Sequence, residues 1–140
     1  MSRIFFDTNL FIYLFEGRDV QADRVVALRE RILERSDQLF TSALTLGEIL
    51  VKPVETGNVA LATRYTRAIE ATAVVVPFSA EAAPIYARIR VDRSIKPPDA
   101  IQLACAAAAE IDLFVTNDER LSRKSVPGIH FITSLERAFL

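Results

Sequence analysis

The sequence predicts an α/β fold of three layers, in which helices cover both faces of a parallel sheet of about five strands. Short segments rich in β-branched or aromatic residues alternate with segments of helical periodicity, an order typical of parallel α/β sheets. Most strand segments are continuous apolar runs, which indicates strands buried on both faces. The expected strands are Arg3–Phe6, Leu39–Thr41, Val74–Phe78, Leu113–Thr116 and Ile129–Ile132.

Several of the intervening segments have one apolar face at helical spacing. Val25, Leu28 and Ile32 recur in this way in "DRVVALRERILERSD", with charged residues on the other side. The segment "LATRYTRAIEAT" repeats the pattern at Leu61, Tyr65, Ala68, Ile69 and Thr72. A further helix is expected from Ala80, and because Pro84 would fall inside it, that helix either begins later or is kinked.

The segment "KPPDAIQLACAAAAEI" predicts a buried helix. Pro97 and Pro98 suit a helix start, because the first turn does not use the N–H that proline lacks. From Ala100 to Ala109 the only strongly polar side chain is Gln102, and a helix that is apolar on nearly every side is usually buried. Asp99 is therefore expected in the first turn of a central helix.

Length and composition indicate one intracellular domain. The 140 residues contain no internal repeat and no long Gly/Ser linker, so we expect a single domain over residues 1–140. Cys105 is the one cysteine, which excludes an intrachain disulfide and suits a reducing cytoplasm. No apolar stretch approaches the roughly 20 residues of a membrane span, and no secretion signal is visible. The net charge of −1 argues against a generally basic surface but allows a local basic rim.

Four acidic residues fall at strand exits or helix starts. Asp7 ends the first strand, Glu48 lies just after the second, Asp99 opens the buried helix, and Asp118 follows the fourth strand. Ligands of open α/β sheets bind beyond the carboxyl ends of the strands. The four side chains are therefore expected to converge on one binding face.

Each acidic residue also has a structural explanation. Thr45 and Glu48 have the spacing of a capping box, and Asp99 would complement the positive end of its helix. Asp118 has the position of an N-cap, and Asp7 that of a solvated loop residue. These explanations do not account for repeated acids without matching basic residues close in the sequence.

A divalent cation would relieve the repulsion among clustered carboxylates. Mg²⁺ prefers oxygen ligands and often binds only one or two carboxylates directly, the others holding its waters. No His/Cys spacing typical of zinc sites is present. The sequence thus indicates a site for a divalent cation such as Mg²⁺.

The ordered segments "FFDTNLFIYLFEG", "TSALTLGEIL", "KPPDAIQLACAAA" and "LFVTNDERL" resemble the PIN-domain family, most closely its VapC-type toxin ribonucleases. The resemblance extends over essentially the whole chain. It places the four acidic family positions on Asp7, Glu48, Asp99 and Asp118. It implies a parallel sheet of about five strands, Mg²⁺ or Mn²⁺, cleavage of RNA by metal-activated water, a homodimer, and a small VapB-like antitoxin partner.

On this interpretation Asp7 and Asp99 are the principal metal ligands, and Glu48 and Asp118 hold waters or a second ion. The carboxylates and waters would be oriented by hydrogen bonds from neighbouring polar residues. The residues expected in that role are Thr8, Asn9, Thr116 and Asn117.

Basic residues before Asp99 and after Asp118 are candidates for guiding an RNA backbone. They are Arg93 and Lys96 in the first group and Arg120, Arg123 and Lys124 in the second. A solvated face is the alternative interpretation of both groups. His130, the only histidine, is expected to pack in or beside the last strand rather than to act in catalysis.

Three other classes of protein are alternatives to a nuclease. A receiver-type phosphoacceptor would carry an acidic pair after the first strand, where Asp7 stands alone. A haloacid-dehalogenase-type phosphatase would carry a second aspartate at the position of Asn9. A non-catalytic RNA-binding or partner-binding module with the same fold remains the stronger alternative.

Overall fold

A five-stranded parallel sheet forms the centre of the computed structural model, which describes residues 1–138 and 140. The strands are β1 (Arg3–Phe6), β2 (Gln38–Ser42), β3 (Val74–Val76), β4 (Leu113–Thr116) and β5 (Phe131–Ser134), arranged in the order β3-β2-β1-β4-β5. The helices are α1 (Thr8–Glu16), α2 (Val20–Glu34), α3 (Ala43–Glu55), α4 (Val59–Thr72), α5 (Ala82–Ile89) and α6 (Pro97–Ala108). A 3₁₀ turn covers Leu121–Arg123. The predicted fold class is confirmed.

Helices cover the sheet on both faces, because alternate residues of each strand point to opposite sides. Phe5 and Phe114 face α5 and α6, and their rings stack with centroids 4.9 Å apart. Ile4, Phe6 and Val115 face the other side, where they pack with buried residues of α1 to α4. All these strand residues are fully buried, which explains why the strands read as continuous apolar runs.

The element boundaries follow local chemistry. β1 and β4 have their predicted bounds, whereas β3 ends at Val76, before Pro77, which has no N–H for the sheet. β5 begins two residues later than predicted, after a turn at Gly128 with a φ of +98°. α5 begins at Ala82, so Pro84 lies in its first turn; of the two alternatives for this helix, the late start is the one observed.

Strand order reverses at β1, which lies between β2 and β4. In open α/β sheets the crevice for ligands lies at this point, beyond the carboxyl ends of the strands. Phe6 and Val115 pair in register there, so the residues that follow β1 and β4 start side by side. No helix in the described residues is both long and apolar enough to cross a bilayer.

Candidate active site

Asp7 lies directly after β1 and caps the start of α1. Its Oδ1 accepts a hydrogen bond from the backbone N–H of Thr8 at 2.8 Å, and its Oδ2 accepts one from Thr116 Oγ1 at 2.9 Å. Burial raises the pKa of Asp7 to about 6, against the lowering effect of these two hydrogen bonds; the negative charges of Asp99 and Glu48 raise it further. Asp7 is thus an N-cap as well as a candidate ligand, and its charged form is disfavoured where it stands.

Glu48 lies on the second turn of α3 and is exposed. Its Oε1 accepts a hydrogen bond from Thr8 Oγ1 at 2.6 Å. Ser42 caps α3 and accepts from the N–H of Thr45 at 3.4 Å. The capping-box interpretation is therefore wrong, because Thr45 lies inside the helix and Glu48 faces the hydroxyl of Thr8 from α1.

Asp99 is the third residue of α6, after the two prolines that begin the helix. It is half-buried. Burial raises the pKa of its carboxyl, and the charges of Asp118 and Glu48 raise it further, whereas Lys96 and Arg120 act in the opposite direction. The predicted position at the start of a buried helix is confirmed.

Asp118 follows β4 by two residues and accepts hydrogen bonds from the loop that comes next. Its Oδ1 accepts from the N–H groups of Arg120 at 2.9 Å and of Leu121 at 3.2 Å. Its own N–H donates to Thr116 Oγ1 at 3.1 Å, the same hydroxyl that donates to Asp7. Thr116 therefore connects two of the acidic residues. Asp118 thus accepts from the loop through one of its two oxygens, whereas the N-cap position of the 3₁₀ turn is Arg120, which has no side-chain cap.

The four acidic side chains interact through their charges, since each of Asp7 and Asp99 responds to two of the others. None of the four forms an ion pair within the part of the chain that the structure describes. All their donor atoms are carboxylate oxygens, the ligands preferred by Mg²⁺. Yet within residues 1–138 and 140 no three His, Cys, Asp or Glu side chains lie in an arrangement that holds one metal ion. The donor chemistry fits such a cation, which would be held directly by one or two of the carboxylates while the others hold its waters.

The four residues predicted to orient the carboxylates behave differently from one another. Thr8 and Thr116 donate to Glu48 and Asp7, as described above. Asn117 instead donates from Nδ2 to Tyr13 Oη at 2.6 Å. Asn9 is exposed at the second position of α1. The structure thus gives Asn117 a contact with α1 in place of the expected contact with a carboxylate.

Gln102 was not predicted to belong to the site. It lies one turn after Asp99 on α6 and is 2 % exposed. Its Nε2 donates to Thr45 Oγ1 at 2.7 Å and to Thr8 Oγ1 at 3.0 Å, and it lies 3.4 Å from Asp7 Oδ1. Its Oε1 accepts from Ser42 Oγ. The signal in the sequence was the single polar residue of an otherwise apolar helix.

A groove of about 280 Å³ extends from the acidic residues along a basic rim. Asp99 and Asp118 line it together with Arg120, Arg123 and Lys124. Lys124, which is partly buried, is paired at 2.9 Å with the exposed Asp92. The second predicted basic group therefore lies beside the acidic residues, and its lysine already forms an ion pair with another acidic residue.

The first basic group and the histidine lie differently. Arg93 and Lys96 are exposed in the segment before α6, where Lys96 acts on Asp99 through its charge. His130 is exposed just before β5, with Nδ1 3.2 Å from Asp112 Oδ1. It lies just before the amino-terminal end of β5, away from the acidic residues; of the two expected positions, beside the strand rather than in it is the one observed.

Comparison with known proteins agrees with this geometry. The family model described as "PIN domain" matches residues 4–127, and the chain belongs to the PIN-domain family. No curated protein sequence matches significantly.

Several solved structures are similar to the chain. One is a chain of VapBC2 from Rickettsia felis bound to a DNA fragment from its promoter, with 16% identity, a TM-score of 0.75, and coverage of 94% of this chain and 98% of that chain. A chain of a toxin–antitoxin complex from Klebsiella pneumoniae is 25% identical, with a TM-score of 0.63 and coverage of 90% and 94%. A chain of DNA-bound VapBC from Salmonella typhimurium is 21% identical, with a TM-score of 0.66 and coverage of 96% and 99%.

Proposed function

We propose that the protein is a metal-dependent endoribonuclease that hydrolyses RNA phosphodiester bonds, and that it is the toxin of a type II toxin–antitoxin pair in the cytoplasm. One observation carries the proposal. At the point of the PIN fold where the strand order reverses at β1, four carboxylates interact through their charges, and none of them has an ion-pair partner among the described residues. Burial already disfavours the charge on two of them, and a divalent cation would remove that cost.

Asp7 and Asp99 would hold Mg²⁺ or Mn²⁺, with Glu48 and Asp118 holding waters or a second ion. When bound, such a cation supplies positive charge that lowers the pKa of water and offsets the charge developing on the phosphate. Thr116 keeps Asp7 and Asp118 in a fixed relation, because its one hydroxyl contacts both residues. Thr8 connects Asp7 and Glu48 through two different groups, since its backbone N–H donates to Asp7 Oδ1 and its hydroxyl donates to Glu48 Oε1.

The basic rim would receive the RNA backbone. Arg120 and Arg123 line the groove that contains Asp99 and Asp118, so a phosphate bound there lies next to the acidic residues. Their positive charge attracts the backbone and acts against repulsion by the carboxylates. Products with a 3′-hydroxyl and a 5′-phosphate are expected from the family resemblance.

The partners proposed for the chain are a small VapB-like antitoxin and a second copy of the chain. Similarity to chains of VapBC complexes supports the antitoxin. The homodimer follows from the family resemblance and is tested by the mass of the purified protein in solution.

The test is cleavage of a panel of transfer, ribosomal and messenger RNA in Mg²⁺ or Mn²⁺ and in excess EDTA. We expect defined fragments with a 5′-phosphate only with the metal, and none with Asp7→Asn. Asp23→Asn, the same change at an exposed position of α2, is the matched control and should cleave like the wild type. Full activity of Asp7→Asn, or of the wild type in EDTA, would contradict the proposal.

A non-catalytic RNA-binding or partner-binding module is the second candidate. It is favoured by the lack, among the described residues, of three side chains already arranged around a metal position. Binding of RNA without cleavage, in either metal and across the whole panel, would support this candidate against the nuclease.

A further inference from the structure

We propose that Gln102 is a positioning residue that fixes the Thr8 hydroxyl as a donor to Glu48 and so orients Glu48 toward the cation. The inference rests on the proposed function and adds a residue that the acidic motifs do not include. Gln102 is buried where α6 packs against the start of α3 and the start of α1, and its amide contacts Ser42, Thr45 and Thr8.

The direction of each hydrogen bond in this cluster is determined by Glu48, the acceptor at its end. An ionised glutamate only accepts hydrogen bonds, so Thr8 donates its single hydroxyl proton to Glu48 Oε1. Thr8 Oγ1 must then accept from its other neighbours, which are Gln102 Nε2 at 3.0 Å and Thr45 Oγ1 at 3.1 Å.

The orientation of the Gln102 amide is determined in the same way. Its N–H donors are directed at Thr45 and Thr8, with Asp7 Oδ1 at 3.4 Å as a further acceptor, and its carbonyl oxygen accepts from Ser42. If the amide were turned over, its oxygen would face the lone pairs of Thr8 at 3.0 Å, without a proton between them. The cluster is therefore a directed chain of donors that ends on a carboxylate.

This series of hydrogen bonds explains why α6, which is otherwise buried and apolar, contains the polar residue Gln102. No buried polar side-chain atom among the described residues lacks a partner, so every member of the cluster is satisfied. Replacing Gln102 with an apolar side chain leaves the Thr8 hydroxyl without its donor and releases its rotation. Glu48, which is exposed, then loses the contact that selects one of its rotamers.

The first test measures Mn²⁺ affinity by isothermal titration calorimetry without RNA. Loss of a group that orients a metal ligand typically weakens binding 10- to 100-fold, so Gln102→Met and Thr8→Val should each raise the Mn²⁺ Kd about 10-fold or more. Thr8→Ser keeps the hydroxyl and should restore nearly wild-type affinity. Cys105→Ala, a buried change on the same helix that contacts Pro77 instead of the site, is the matched control and should bind like the wild type. A Kd for Gln102→Met within twofold of wild type would overturn the inference.

The second test needs no metal and separates this inference from the proposed function. Unfolding in urea with EDTA is compared for Gln102→Met, Thr8→Val and the double variant. Members of one hydrogen-bonded chain should give a double variant less destabilised than the sum of the single changes. Additive losses would overturn the inference whether or not the protein binds metal. If wild type binds no Mn²⁺, the proposed function fails, and this comparison alone decides the role of Gln102.

Discussion

Replacing Asp7 with asparagine is expected to stabilise the metal-free protein at neutral pH. Burial raises the pKa of Asp7 to about 6 from an ordinary value of 3.8, which means that folding disfavours its charged form. Asparagine is uncharged and is as good an N-cap as aspartate. It therefore keeps the cap on α1 and removes the buried charge.

The magnitude follows from the shift in pKa. One pKa unit corresponds to about 1.4 kcal/mol, so a shift of about 2 units costs the charged protein about 3 kcal/mol above pH 6. The pKa of about 6 already includes the lowering effect of the hydrogen bonds from Thr116 and Thr8, so nothing further is subtracted for them. We expect Asp7→Asn to raise the free energy of unfolding by about 2 to 3 kcal/mol at pH 7.5 in EDTA.

The sign of the pH dependence is also determined. Between pH 3.8 and about 6 the folded wild type holds a proton on Asp7 that the unfolded chain has released. Its stability therefore falls as pH rises through this interval. The difference between Asp7→Asn and wild type should be near zero at pH 4 and reach its plateau above pH 6.

The assay is urea unfolding, followed by circular dichroism at pH 4, 5, 6 and 7.5 with EDTA. Mn²⁺ should reverse the order at pH 7.5, because a cation that binds only the folded wild type stabilises it by mass action. An Asp7→Asn variant that is less stable than wild type in EDTA at pH 7.5, or a difference that does not change with pH, would show that folding does not disfavour the charge on Asp7.

Three further changes separate the roles of the other residues. Asp99→Asn should leave the metal-free melting temperature unchanged or raise it, because burial and like charges raise the pKa of Asp99; a clear drop would favour a purely structural role. Asp118→Asn should abolish RNA cleavage while changing stability by less than about 0.5 kcal/mol, since asparagine caps a turn as well as aspartate does; retained cleavage would contradict its assignment. Removing Arg120 and Arg123 should lower the slope of RNA affinity against salt by about one unit or more, whereas Lys124→Ala should change it less because Lys124 is paired; a slope unchanged by any of these substitutions would return all three to an ordinary solvated face.

The parts of the fold that depend on short-range patterns were predictable from the sequence. β1 and β4 have their predicted bounds because both are buried apolar runs followed by polar residues. The start of α6 was marked by two prolines, which placed Asp99 in its first turn. The convergence of the acidic residues followed from the general position of binding sites in parallel sheets.

The details that depend on distant contacts were not predictable. Gln102 contacts Ser42, which is 60 residues away in the chain, so its role depends on how α6 packs against the start of α3. Asn117 follows Thr116 directly but turns toward Tyr13, 104 residues away. Sequence proximity to an acidic motif therefore does not decide which side chain contacts a carboxylate.

One strand boundary and one side-chain pairing have similar causes. β5 begins later than its apolar run suggested because the turn at Gly128 precedes it. Lys124 was grouped with Arg120 and Arg123 by position, but it pairs with Asp92, which lies 32 residues earlier. Both depend on how separate segments meet in the folded chain.

The most direct measurement is an anomalous difference map at the manganese absorption edge from crystals grown with Mn²⁺. We expect a peak within metal–oxygen bonding distance of carboxylate oxygens of both Asp7 and Asp99, with Glu48 and Asp118 near enough to hold the waters of the ion. A map without a peak between those two aspartates, from well-diffracting crystals in saturating Mn²⁺, would contradict the proposed metal site.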